Sequence, residues 1–287
     1  MYDLLSLVKR NTLIFFRDKT AVFFSLLSTI ILLALYFLFI GKQYTNGLEP
    51  FGEEVMTYLG TSVMMGGVLV INTISLALGV MGNIVNDLQQ RKLDAFLVTP
   101  VKRYKIILAY FITSVLVTAV LSILMWILTI IYVGIRSGYW YPWLTIFQVA
   151  GLLIFYTFLS ASLMIFLTTL LKSVNAFGAL SGVLGTFVGF ICGIYMPLVV
   201  LGDTMIYVAS IFPFTHMTIL LKQVLLKDPY SLVPIEVVEN LEVAFGTKEI
   251  GVFGQEVPMI WLILASLIIA FLLLFFAYRN MSKKMAI

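Results

Sequence analysis

Long apolar runs alternate with short polar segments along this chain, and six of the runs, residues 21–40, 57–85, 106–135, 143–171, 177–201 and 257–278, have the length of membrane spans. A helix needs about 20 residues to cross the hydrocarbon core of a bilayer. The pattern predicts six transmembrane helices, and because several runs exceed 25 residues, it also predicts tilt, kinks or extensions into the headgroup layer. Val55–Asn86 and Ile106–Ile135 hold no charged residue, whereas Asn83–Lys105 between them is the densest charged stretch of the chain. The polar segment, residues 86–105, must therefore lie outside the bilayer core.

Three polar segments carry a helical pattern of their own. In residues 86–105, Leu93, Phe96 and Leu97 share one helical face, while Asp87 and Arg91, and Gln90 and Asp94, stand four apart, the spacing at which helical side chains meet. Asn86 suits an N-cap, with Gln89 three residues on, and Thr99-Pro100 stops the helix because a residue before proline is pushed out of the α region. The reading is a short amphipathic helix at the membrane surface; an ordinary solvated loop tethering two spans fits the same pattern. In residues 1–20, Leu4, Leu7, Val8, Ile14 and Phe15 face one side and Ser6, Lys9, Arg10 and Arg17 the other. That is an interfacial helix, or a basic flank that only sets topology; the charges and the lack of a small-residue cleavage site argue against a cleaved signal. Over Ile235–Phe245, the edge Glu236, Glu239, Glu242 opposes Val237, Val238, Leu241 and Phe245, with Pro234 before and Gly246 after, which predicts a third amphipathic helix.

Composition sharpens the class. Hydrophobic residues make up 61% of the chain and charged residues 11%, with a mean hydropathy of +1.07; a soluble domain carries about a quarter charged residues. The fold class is an all-α polytopic membrane protein. With the N-terminus inside, 13 of the 18 Lys and Arg residues fall on the cytoplasmic side, the exceptions being Lys42, Arg136, Lys222, Lys227 and Lys248. The positive-inside rule then places both termini in the cytoplasm of a multi-pass plasma-membrane protein. The formal charge of +4 is a topology effect and does not imply nucleic acid. The external region, residues 202–256, carries a net charge of −4 from three lysines and seven carboxylates. A lone cysteine, Cys192, excludes a disulfide within the chain and a cysteine cluster for metal, and suits a small buried hydrophobe.

The fifth run repeats glycine every three or four residues, at Gly178, Gly182, Gly185, Gly189 and Gly193. Such a stripe lets another helix approach closely, which matters in lipid because no hydrophobic drive brings helices together; the partner helix belongs either to the same subunit or to another. Beyond it, Met205–Phe214 is apolar but too short to span, and Phe212-Pro213-Phe214-Thr215 ends it in a turn. His216, the single histidine, has no nucleophile or carboxylate set beside it in the sequence and reads as an interfacial or capping residue.

The order of parts in Leu93–Arg103, a charged helix running into Leu-Val-Thr-Pro-Val and then a basic cluster, resembles the permease subunits of type-2 ABC exporters, which include drug-resistance and polysaccharide exporters. The resemblance extends to the whole chain as a six-span layout. It implies that residues 86–105 form a coupling helix docking on a separate ATPase subunit, through Asp87, Arg91, Leu93, Phe96, Thr99, Pro100 and Arg103, and that residues 1–20 form an elbow helix near that ATPase. The family's glutamate-rich start of the loop is here Asp-Leu-Gln-Gln-Arg-Lys. The resemblance further implies that the glycine stripe meets the first span of a second subunit, and that Phe212, Pro213 and Phe214 form an external gate before a helix re-entering the outer leaflet. Phenylalanine stands at the position where the family's turn has asparagine.

No Gly-x-x-x-x-Gly-Lys-Ser/Thr phosphate loop occurs, so no ATP hydrolysis by that route is expected here. ATP and Mg would bind the partner ATPase, and the chain itself is expected to carry no catalytic, cofactor or metal site. No ionisable residue falls clearly inside a predicted span, which argues against an ion-driven carrier or an intramembrane enzyme. The expectation is a transport subunit, paired with a second copy or a homologous permease, whose cavity between the first, second and fifth spans passes an amphiphile such as a drug, lipid-like molecule, toxin or antimicrobial peptide. A polysaccharide or sodium exporter of the same family, and a non-transporting scaffold or sensor, are the alternatives.

Overall fold

The computed structural model describes residues 2–35, 48–93, 101–171, 173–252, 254–255 and 257–284. Among them are eleven α-helices: α1 (Tyr2–Arg17), α2 (Lys19–Leu35), α3 (Glu53–Gln89), α4 (Arg103–Ser137), α5 (Trp143–Leu170), α6 (Val174–Ile191), α7 (Leu198–Leu201), α8 (Asp203–Ala209), α9 (Pro213–Tyr230), α10 (Ile235–Phe245) and α11 (Met259–Lys284). Five of these, α3, α4, α5, α6 and α11, are long and apolar enough to cross a membrane, and α8 with α9 forms a further apolar pair bent by 98°. The protein is an all-helical, multi-pass membrane protein. Helix α2 is the described part of the first predicted span, whose residues 36–40 lie outside the described residues.

Helix α3 is the axis of the bundle. It begins with Glu53 and Glu54 in its first turn, where carboxylates suit the positive end of the helix dipole, and packs against α2, α4, α5, α6 and α9. Polar side chains within the core stitch it to its neighbours. Thr29 donates to Asn72 Oδ1 (2.9 Å), Asn72 Nδ2 to Ser122 Oγ (3.3 Å), and Thr73 and Ser62 share hydrogen bonds with Ser160 (2.9 Å) and Tyr141 (2.7 Å). Bonds of this kind contribute about 0.6 kcal/mol each between membrane helices. Close approach is made possible by glycine: a Cβ on Gly66 would stand 2.5 Å from Lys222 Cγ, on Gly67 2.9 Å from Ile194 Cγ2, and on Gly79 2.5 Å from Ser25 Cβ.

At the Glu53 end of α3, Val55, Leu59 and Val63 share a core with Val238, Leu241 and Phe245 of α10. Helix α10 has the predicted bounds: Pro234 precedes it and Gly246, in the left-handed region at φ 63°, ends it. At the other end α1 lies along α4, and its Phe15 is wholly buried with Val80 and Val117. The two amphipathic helices thus sit at opposite ends of α3.

Two predicted elements differ in outline. Residues 86–89 continue α3, so Asn86 is not an N-cap; it lies in the last turn and accepts a hydrogen bond from Gln90 Nε2 (2.8 Å). The fifth predicted span, 177–201, is divided, because α6 ends at Ile191 and Gly193 turns the chain at φ 63°. The amides of Ile194 and Tyr195 then bond back to Gly189 O (3.0 and 3.2 Å), and Pro197, lacking an N–H, precedes the separate short helix α7.

Candidate functional site

Helices α2, α3 and α6 enclose an open groove of about 680 Å³. Its wall is built from Phe24 and Ile31 of α2, Ile74 and Leu78 of α3, and Phe177 and Leu184 of α6. The polar groups in it are few. Ser25 and Ser181 spend their hydroxyls on Val22 O and Phe177 O (both 2.8 Å), whereas the buried Asn83 Nδ2 has no hydrogen-bond partner among the described residues. Asp18, Ser75 and Asn86 line it as well, so the groove solvates apolar surface and carries a few polar groups besides.

The glycine stripe of α6 borders the groove and divides into two functions. A Cβ on Gly178, Gly182 or Gly185 would meet nothing within 4 Å, so these three face open space. Gly189 is covered by the Tyr195 ring of the same chain, and Gly193 is the turn residue, beside Leu198. The sequence predicted one continuous contact face over five glycines. Three remain unpartnered among the described residues, and two are used by the turn after α6.

At the end of α3 next to the groove, Asp87 is 4% exposed. Arg10 Nη2 of α1 stands 2.9 Å from its Oδ2, the Tyr110 hydroxyl of α4 donates to the same oxygen (2.6 Å), and Arg10 Nη1 donates to Tyr110 OH (3.3 Å). One carboxylate therefore ties three helices together. The buried charge is matched by an arginine and a second donor, the arrangement a low-dielectric site requires. Two more contacts reinforce this end: Lys105 Nζ is 2.8 Å from Asp3 Oδ2, which holds the Asp3 carboxyl below its ordinary pKa, and the Val174 amide that opens α6 donates to Gln89 Oε1 (2.8 Å). After Gln89 the chain reverses at Arg91, in the left-handed region at φ 54°, and Leu93 is buried at 2% exposure.

Among the residues assigned to ATPase coupling, Asp87 and Leu93 thus point into the fold, while Arg91 and Arg103 are exposed. Phe96, Thr99 and Pro100 lie outside the described residues. The predicted Asp87–Arg91 pair is replaced by Asp87–Arg10, because burial of Asp87 puts the arginine of α1 closer than the one that follows it. Arg10 was visible on the polar face of α1, but its partner Tyr110 sat unmarked inside an uncharged run.

At the other predicted site, Phe212 precedes α9 and Pro213 opens it, where the missing N–H of proline costs nothing. Phe212 packs edge-on against Phe187 of α6 (5.7 Å), Phe214 is buried at 5% exposure, and both border an apolar cavity of about 230 Å³. His216 shares a 2.8 Å hydrogen bond with Ser210 O, as a capping residue does. Lys222, one of the cations counted on the outer side, is buried at 3% exposure.

A family model described as ABC-2 family transporter protein matches residues 43–279. The chain belongs to the ABC-2 transporter family. Among curated proteins none matches it. As an ABC-2 membrane protein it is the permease of a transporter complex; such permeases have no ATPase activity of their own and work with ATPase subunits, which bind the ATP. The groove, the polar node and the aromatic turn are therefore parts of an ABC-2 permease.

Proposed function

We propose that this ABC-2 permease exports an amphiphilic molecule through the groove between α2, α3 and α6, by alternating access driven by ATP and Mg on separate ATPase subunits. The observation that carries the proposal is the groove itself: mostly apolar, open, and bordered by the unfilled glycines 182 and 185, with Gly178 one turn before them. A second copy, or a homologous permease, would cover those glycines and convert the open groove into a shared cavity. The termini and α1 would face the cytoplasm, following the distribution of lysine and arginine. The exposed Arg91 and Arg103, with the loop between them, would then meet the ATPase. The Arg10–Asp87–Tyr110 node supports this reading by making α1, α3 and α4 move together, so that a push on the loop reaches the groove wall. The turn at Phe212, Pro213 and Phe214 would close the opposite mouth.

The test uses the permease reconstituted with its ATPase. Filling the groove with Gly182→Trp is expected to abolish cargo-stimulated ATP hydrolysis and export, with the ATPase still copurifying. Arg91→Glu with Arg103→Glu is expected to release the ATPase. Full export from the groove-filled protein would refute the path, and an ATPase that stays bound to the double glutamate variant would refute the docking face.

A further inference from the structure

Lys222 sits at the floor of a pocket of about 300 Å³ that is separate from the groove. Its Nζ donates to Gly193 O (3.2 Å) and Phe245 O (3.0 Å). An ammonium carries three N–H donors, and among the described residues no third acceptor and no carboxylate lies in range of this one. The chain makes room for it deliberately, since only the absence of a side chain at Gly66 lets the Lys222 stem pass. A buried cation held by carbonyls alone is costly unless an anion completes it.

The rest of the pocket says which anion. Its walls include Leu198, Val199, Ile206, Ile219 and Ile250, and its charged groups besides Lys222 are Glu242, Glu249 and Lys248, all three exposed to solvent at the rim. Val199 of that wall and its chain neighbour Val200 are more than half exposed, apolar surface that suits acyl chains. The pocket thus combines a buried cation, an apolar lining, and two exposed carboxylates against one exposed lysine. A simple anion satisfies the floor but meets Glu242 and Glu249; a headgroup with a phosphate inward and an ammonium outward satisfies both.

We infer that this pocket binds the zwitterionic headgroup of a phospholipid, with a phosphate oxygen against Lys222 Nζ, the ammonium at Glu242 and Glu249, and the chains along Val199 and Val200. The inference does not depend on the cargo or on the groove. A bound lipid would clamp α9, the turn at Gly193 and the end of α10, so its binding is read as stability.

The experiment titrates the full chain, delipidated in detergent, with phosphatidylethanolamine, phosphatidylglycerol, soluble phosphoethanolamine and inorganic phosphate. It follows the thermal midpoint together with retained lipid by native mass spectrometry. Phosphatidylethanolamine is expected to raise the midpoint with one molecule retained, and Lys222→Met to weaken that binding by on the order of tenfold or more. Because Lys222 also holds two backbone carbonyls, the decisive variant leaves it in place: Glu242→Gln with Glu249→Gln, both exposed, is expected to abolish the preference for phosphatidylethanolamine over phosphatidylglycerol. Val199→Trp is expected to block the mouth. Equal responses to both lipids in the unaltered protein, an equal response to inorganic phosphate or phosphoethanolamine alone, or a preference that survives the double glutamine change would each overturn the assignment.

Discussion

Helices α3 and α6 are both apolar, both glycine-bearing and both long enough to span a membrane, yet they meet opposite surroundings. In α3 the glycines are occupied: Lys222, Ile194, Ser25 and Phe177 stand over Gly66, Gly67, Gly79 and Gly82. In α6 the glycines 178, 182 and 185 face nothing among the described residues. Of the most apolar stretch of α3, 83% is buried inside the molecule, against 17% for α6. The same residue is a seat already taken in one helix and an empty seat in the other. Where hydrophobicity is uniform, only the third dimension distinguishes them, because lipid and protein interior are equally apolar.

The sharpest way to break the comparison is to give both helices a side chain. Gly66→Val would drive a Cβ to 2.5 Å from Lys222 Cγ and 3.1 Å from its Cα; since the backbone must shift, the expected loss is about 3 kcal/mol, seen as a lower thermal midpoint or failure to accumulate. Next in size, Asp87→Asn leaves Arg10, whose side chain is 30% exposed, without its counter-charge. The expected loss is about 2 kcal/mol, below the figure for a fully buried pair, and faster hydrogen exchange in α1 should accompany it. Gly82→Ala meets only the edge of the Phe177 ring at 3.3 Å, which can yield, so a change within about 0.5 kcal/mol is expected. Gly182→Ala meets no atom within 4 Å and should stabilise the isolated chain by about 0.5 kcal/mol through helix propensity. If a second subunit seats there, Gly182→Leu should lower the oligomer fraction by light scattering while leaving the chain folded; an unchanged oligomer would place the contact elsewhere.

Much of this was legible in the sequence for physical reasons that are local. The long apolar runs had to be helices in lipid, and α10 announced itself through Pro234, Gly246 and a one-sided row of glutamates. What was hidden depends on distant partners. Asp87 read as a surface charge because Arg91 stands four residues on, and nothing in Ile106–Ile135 marked Tyr110 as its donor. The burial of Lys222 left no sign, because the carbonyls it satisfies, at Gly193 and Phe245, leave no trace in side-chain pattern. The break after Ile191 was foreshadowed by Gly193 and Pro197, but the apolar run across them outweighed those signals.

Helix α3 runs unbroken for 37 residues, about 55 Å at the rise of an α-helix, which exceeds the roughly 40–45 Å of a whole bilayer with its headgroups. It is therefore a rod longer than the bilayer is thick, gripped near one tip by Arg10 and Tyr110 and near the other by the cradle around α10. A tilt of about 10° about one tip swings the other through about 10 Å over such a length. Were α1 to turn the rod through such an angle, the displacement at the α10 end would follow from the length of α3 alone.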